Sequence, residues 1–208
     1  MRIEHNERHT VIFLPGLSDG VENLRRATNW WRRKGLEPHV LRVGWRDGLH
    51  EFQPKLAEIL KYVDRFAGEG RLSIVGTSAG GSAALNVFLE RPDSIDHAVT
   101  ICGRLRAGEH RWRSLERMSA TSALFKHSVL LLEQSEPHIS NELRRRIMTV
   151  TAHFGDELVP ADTSFLEGAY NIMVPTGEHM LSIGMSLTVL ANPIIDFIRF
   201  GLPKTTQP

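Results

Sequence analysis

Three stretches of this chain hold side chains able to do covalent chemistry together. The first is IVGTSAGG, residues 74–81, where Ser78 stands between glycines directly after an apolar run. The second is HFGDELVP, residues 153–160, with Asp156, and the third is PTGEHML, residues 175–181, with His179. A serine hydroxyl is a weak nucleophile at neutral pH. It becomes a strong one only when a base takes its proton and a further group orients that base. Gly76-Thr77-Ser78-Ala79-Gly80 has the G-x-S-x-G form of a strand-to-helix turn that lifts a serine above a sheet. The flanking glycines keep side chains out of a tight turn. The alternative for such a turn, a phosphate cradle, lacks support because neither a Walker lysine nor G-x-G-x-x-G spacing is present.

For Ser78, Asp156 and His179 to meet, the elements around them must bring distant segments to one edge. Apolar, β-rich runs alternate with helical patterns along the chain, which predicts a parallel sheet covered on both faces. Strands are expected over 10–14 (TVIFL), 38–43 (PHVLRV), 72–76 (LSIVG), 97–102 (HAVTIC), 146–152 (RIMTVTA) and 170–174 (YNIMV). A helix is expected over 21–34, with apolar Val21, Leu24, Ala27 and Trp31 and a stop at Gly35. Leu56, Ile59, Leu60, Val63 and Phe66 mark the buried face of a second helix, and 79–89 a third. Asn192-Pro193 reads as an N-cap followed by proline at the first helical position of the last helix. The tail LPKTTQP is expected to fray. In a parallel sheet all carboxyl ends lie on one edge, so Ser78, Asp156 and His179, each placed just beyond a strand, share that edge.

With this order of residues, the chain resembles compact lipases and esterases of the α/β-hydrolase fold from about residue 10 to 200. VIFLPGLSDG resembles their first oxyanion loop, LSIVGTSAGG their nucleophile elbow, and FGDELVPADTSFLEGAYNIMVPTGEHMLSI their acid, strand and histidine block. The resemblance implies a minimal α/β-hydrolase fold, with a mostly parallel six-stranded sheet, helices on both faces, and no counterpart of the usual first two antiparallel strands. It implies Ser78 as nucleophile, His179 as base and then acid, and Asp156 as the carboxylate fixing the imidazole tautomer. The backbone N–H groups of Leu17 and Ala79 would form the oxyanion hole. No cofactor or metal is implied. Two positions depart from the family: Pro15 stands where histidine is frequent, and Glu178 where glycine is.

Other residues near these motifs offer competing roles. Glu157 and Asp162 are rivals to Asp156 as the orienting carboxylate, and Asp19 reads as the N-cap of the helix beginning near Val21. Residues 103–145 form the one stretch long enough for a small lid or substrate wall. Its first part sets Arg104, Arg106, Arg111, Arg113 and Arg117 around Trp112, a solvated basic face or a site for an anionic group or a protein partner.

The 208 residues include 25 Lys+Arg and 24 Asp+Glu, a net charge of +1 that gives no reason to expect a nucleic-acid partner. The length suits one α/β-hydrolase domain over 1–208. The single cysteine, Cys102, cannot form an internal disulfide and is expected to pack in the core. With a polar start, MRIEHNERHT, and no span-length apolar run, a cytoplasmic protein without integral membrane association is expected. The expected substrate is a small ester or thioester of short to medium acyl chain. An amidase or peptidase is the enzymatic rival, and a hydrolase-fold binding scaffold the non-catalytic one; a cavity joining Ser78 to His179 would favour an enzyme and an occluded elbow a scaffold.

Overall fold

The alternation of strand and helix patterns resolves into one sheet. The computed structural model describes residues 8–202, so the polar start and most of the LPKTTQP tail lie outside the described residues. In chain order the elements are β1 (His9–Leu14), α1 (Val21–Thr28), a 3-10 helix (Asn29–Lys34), β2 (Leu36–Val40), α2 (Phe52–Ala67), β3 (Arg71–Thr77), α3 (Gly80–Glu90) and β4 (His97–Ile101). Then follow α4 (Leu115–Met118), α5 (Ala123–Ser135), a second 3-10 helix (Glu136–His138), α6 (Asn141–Arg144), β5 (Ile147–Ala152), α7 (Ala161–Ser164), β6 (Tyr170–Val174), α8 (His179–Leu187) and α9 (Asn192–Phe200). The sheet order is β2-β1-β3-β4-β5-β6, and every described pairing is parallel. The chain runs outward from β1 to β2, then crosses back to β3 and proceeds the other way. Such a reversal leaves a crevice beyond the carboxyl ends of the two central strands.

Each strand feeds both faces with period 2. Ile12, Leu14, Leu72, Ile74 and Ala98 join one core with α2, α3 and α5, whereas Val11, Phe13, Val75, Val99 and Ile101 join the other with α1, α8 and α9. A one-residue slip would exchange the two sets, so register is strongly fixed. Trp31 is fully buried, meets Phe13 edge-on at 5.2 Å and donates from Nε1 to the Leu187 carbonyl at 2.9 Å. That inward turn explains why the helix expected over 21–34 tightens to 3-10 form after Thr28; Gly35 ends it at φ 78° as anticipated.

Apart from one-residue shifts at the ends of other strands and of α3, two elements differ from expectation. The second strand begins at Leu36 and ends at Val40, because the amides of Val43, Gly44 and Trp45 turn away to the Asp19 carboxylate. Pro38 is tolerated because β2 is an edge strand. In the last helix Asn192 is the first helical residue, not the cap: Ala191 precedes it, with no side-chain cap bond. No single described helix is long and apolar enough to cross a membrane.

Residues 103–145 are built around α5, which lies against α3 through buried polar ties. Ser82 and Ser128 share a hydrogen bond at 2.7 Å, and Asn86 Nδ2 donates to the carbonyls of Ser82 and Ser128 at 2.9 and 2.8 Å. Asn86→Ala is expected to cost about 1–3 kcal/mol by removing the side-chain donor that ties the Ser128 carbonyl to α3, at ~2–4 °C of Tm per kcal/mol. Thermal unfolding followed by circular dichroism checks this; an unchanged Tm would show that α5 does not depend on the tie.

Candidate functional site

Ser78 sits at the crevice because β3 runs straight into α3. Its φ is 53°, a left-handed conformation costly for any residue with a Cβ. The turn is held by Ser78 N–H donating to the Ile101 carbonyl and Gly81 N–H donating to the Ser78 carbonyl, both at 2.9 Å. A Cβ on Gly76 would overlap the Gly80 carbonyl, and one on Gly80 would overlap the Leu14 carbonyl. The glycines of the motif therefore answer to backbone clearance.

The loop after β1 lies over the serine: a Cβ on Gly16 would stand 2.9 Å from the Ser78 Cβ. Among the described residues neither Leu17 N–H nor Ala79 N–H donates a hydrogen bond. Pro15 offers no side-chain brace here, and the fold supplies two others. Trp45 Nε1 donates to the Pro15 carbonyl at 3.0 Å, and the Asp19 carboxylate accepts from the amides of Val43, Gly44 and Trp45, each at 3.1 Å. Asp19 is thus no N-cap: Gly20 occupies that position without a side-chain bond, and Asp19 ties the β1 loop to the segment beyond β2. Trp45 gave no signal in the sequence, since its partner lies 30 residues away.

On the other side, His179 opens α8. Its Nε2 lies 2.9 Å from Ser78 Oγ, and its Nδ1 lies 2.7 Å from Asp156 Oδ2. With the Nδ1 proton donated to the carboxylate, Nε2 presents a lone pair to the serine hydroxyl. His179 is 2% exposed and the Asp156 side chain 8%. Burial pushes the Asp156 carboxyl up, but the His179 hydrogen bond and the amides of Val159 and Leu158, each 2.8 Å from Oδ1, more than offset it and hold the group below the usual carboxylate value. It therefore stays ionised through the weakly acidic range.

The two rivals of Asp156 have other partners. Glu157 Oε2 accepts from the His179 backbone amide at 2.9 Å, and Asp162 pairs with His110 at 2.8 Å. Glu178 caps α8, accepting from the amides of Met180 and Leu181 at 3.1 and 2.6 Å. Cys102 is buried as expected, with Sγ within 4.8 Å of ligand atoms of Asp156 and His179; burial and then the Asp156 charge push its thiol up, so it stays protonated.

The arginine-rich segment is not a uniform solvated face. Arg104 is 1% exposed and donates to the carbonyls of Arg106, Arg113 and Ala107. Arg106 pairs with Glu136, and Arg113 donates to the Asp156 carbonyl at 2.8 Å. These contacts strap the loop after β4 to the loop carrying Asp156. Only Arg111 and Arg117 remain outside, 5.7 and 5.9 Å from the ring centre of the exposed Trp112.

A cavity of about 400 Å³ opens on both Ser78 and His179. It straddles the sheet edge. Its lining draws on both faces of the sheet: Leu24, Ala27, Ile183 and Leu187 from the side of α1 and α8, and Met118 and Phe125 from the side of α4 and α5. Segment 103–145 thus contributes walls to the cavity.

No family model matches the chain, and no curated protein matches it. Solved structures do. A lipolytic enzyme of the metagenome-derived LipS and LipT pair superposes with a TM-score of 0.65 at 14% identity, over 93% of this chain and 94% of that one. The pyrethroid hydrolase PytH gives 0.67 at 13% identity, over 92% and 98%. The metagenomic carboxyl esterase MGS0156 gives 0.67 at 16% identity, over 96% and 77%. The chain has the α/β-hydrolase fold.

Removing the Asp19 carboxylate by Asp19→Ala is expected to cost about 1–3 kcal/mol and to speed hydrogen exchange at the Val43, Gly44 and Trp45 amides, which lose their acceptor. Exchange mass spectrometry over this segment reads it; unchanged protection there would show that the brace is not needed.

Proposed function

We propose that this protein is a serine hydrolase that cleaves carboxylic esters or thioesters of short to medium acyl chains through an acyl-enzyme. The observation carrying this reading is the unbroken line of hydrogen bonds from Ser78 Oγ through His179 to Asp156. The lipolytic and esterase neighbours of the same fold support it at the level of reaction class. An elbow that opens into the cavity favours an enzyme over a binding scaffold.

In this mechanism Ser78 Oγ attacks the carbonyl carbon while its proton passes to His179 Nε2. The carbonyl electron pair moves to oxygen, and the free N–H groups of Leu17 and Ala79 stabilise that oxyanion. Asp156 orients the ring and stabilises the imidazolium without taking the proton. Collapse of the intermediate breaks the bond to the leaving oxygen or sulfur, which receives the Nε2 proton. Water then attacks the acyl-Ser78 carbonyl, giving its proton to Nε2, and the second collapse releases the carboxylic acid and restores the serine hydroxyl.

A fluorophosphonate is expected to form its adduct on Ser78, and Ser78→Ala to lose both labelling and ester hydrolysis while keeping the fold; an adduct elsewhere, located by mass spectrometry, would refute the assignment. Asp156→Asn should cost several orders of magnitude in turnover. Glu157→Gln keeps an acceptor for the His179 amide and Asp162→Asn touches only His110, so each should cost little; a larger loss in Asp162→Asn would move the orienting role there.

The cavity sets the acyl preference, since each buried methylene contributes about 0.8 kcal/mol until the wall is reached. kcat/KM should rise with acyl length, then level off at medium chains. No jump is expected at the micellar threshold, because α5 is tied to α3. A continued rise into long chains with interfacial activation would sink this reading.

A further inference from the structure

The charge of the cavity wall is one-sided. Its lining includes two arginines, Arg46 and Arg104, and no aspartate or glutamate. The segments carrying them lie beside α4 and α5: the Trp45 carbonyl accepts from Ser122 Oγ at 2.7 Å, and Arg104 donates to the Arg113 carbonyl just before α4. The lining from α1 and α8, with Leu24, Ala27, Ile183 and Leu187, includes no Asp, Glu, Lys or Arg.

The backbone at Arg46 is held on both sides, while its exposed side chain is unused. The preceding Trp45 is fixed by its amide on Asp19 and by Ser122 Oγ donating to its carbonyl at 2.7 Å. The following Asp47 is paired with Arg42. The Arg46 guanidinium itself has neither hydrogen bond nor ion pair among the described residues. Arg104, by contrast, has its donors on backbone carbonyls, with no carboxylate within ion-pair distance among the described residues; Asp162, Glu116 and Glu133 act on its charge from further off. Burial nonetheless pushes its pKa down. Two cations in the wall of a largely apolar cavity favour an anion there over a neutral group of the same shape, and the unpaired Arg46 fork matches a carboxylate or phosphate.

We propose that the cavity takes an ester or thioester that is apolar on one side of the scissile carbonyl and carries a carboxylate or phosphate on the other, with Arg46 as the residue that selects it. This rests on the serine-hydrolase reading for turnover but not for binding. The apolar part packs on the side of Leu24 and Leu187, and the anion lies toward Arg46, with Arg104 adding to the local positive potential.

The test uses matched probes in both orientations: octyl succinate against octyl succinamate, and the octanoyl ester of glycolate against that of glycolamide. In each pair a carboxylate faces a neutral carboxamide of nearly the same shape. Steady-state kcat/KM is measured on the whole chain below the micellar threshold, and binding of the same probes to Ser78→Ala by calorimetry. In at least one orientation the carboxylate should be favoured about tenfold, the scale of one charge-assisted hydrogen bond at a partly solvated site. That ratio should fall toward one in Arg46→Gln and with rising salt. Neutral esters hydrolysed with no carboxylate preference in either orientation would overturn the inference and leave the hydrolase reading standing. Carboxylate preference in binding to Ser78→Ala, with no turnover of any ester by the unmodified chain, would leave the anion site standing and overturn the hydrolase reading. A preference that survives Arg46→Gln, or one that emerges only above the micellar threshold, would overturn the assignment to Arg46 in the cavity.

Discussion

The site depends on the backbone at Ser78 being held left-handed between a parallel strand and a buried helix. A non-glycine residue in that conformation costs about 1–3 kcal/mol and persists only where its surroundings over-determine it. Here they do. The Ile101 carbonyl takes the Ser78 amide, Gly76 and Gly80 let β3, α3 and the end of β1 pass within van der Waals contact, and residues 80–88 of α3 are buried throughout. Burial of α3 between the sheet and α5 offsets the strain, so the polar ties of Ser82, Asn86 and Ser128 belong to the same device as the serine.

The histidine is positioned by a different principle. It opens a helix whose free amides are met by carboxylates: Glu157 takes the His179 amide, while Glu178 takes those of Met180 and Leu181. Negative groups at a helix N-terminus are favourable, and they fix the backbone from which the imidazole projects. Asp156 then fixes the ring. The loop bearing it is itself anchored by Arg113 on the Asp156 carbonyl and by the arginines strapped around Arg104 and Arg106. Arginines grouped in the sequence thus divide between holding loops together and, at Arg111 and Arg117, flanking an exposed tryptophan.

What the chain itself determined follows from local rules. Short apolar, β-rich runs alternating with helical patterns set a parallel sheet, the G-x-S-x-G glycines set the turn, and the strand-then-residue placement of Ser78, Asp156 and His179 put them on one edge. Each of these depends on neighbours within a few residues or on a periodicity, so it is readable without coordinates. The tertiary structure decided which of Asp156, Glu157 and Asp162 meets His179, moved Asp19 from helix cap to loop brace, buried Arg104 and brought in Trp45. Those outcomes turn on where a side chain points after the chain has folded back across 22 to 101 residues, and on the few tenths of an ångström that separate a hydrogen bond from its absence. Short-range sequence pattern sets backbone geometry; partners so distant in the chain exist only once the sheet has closed the distance between them.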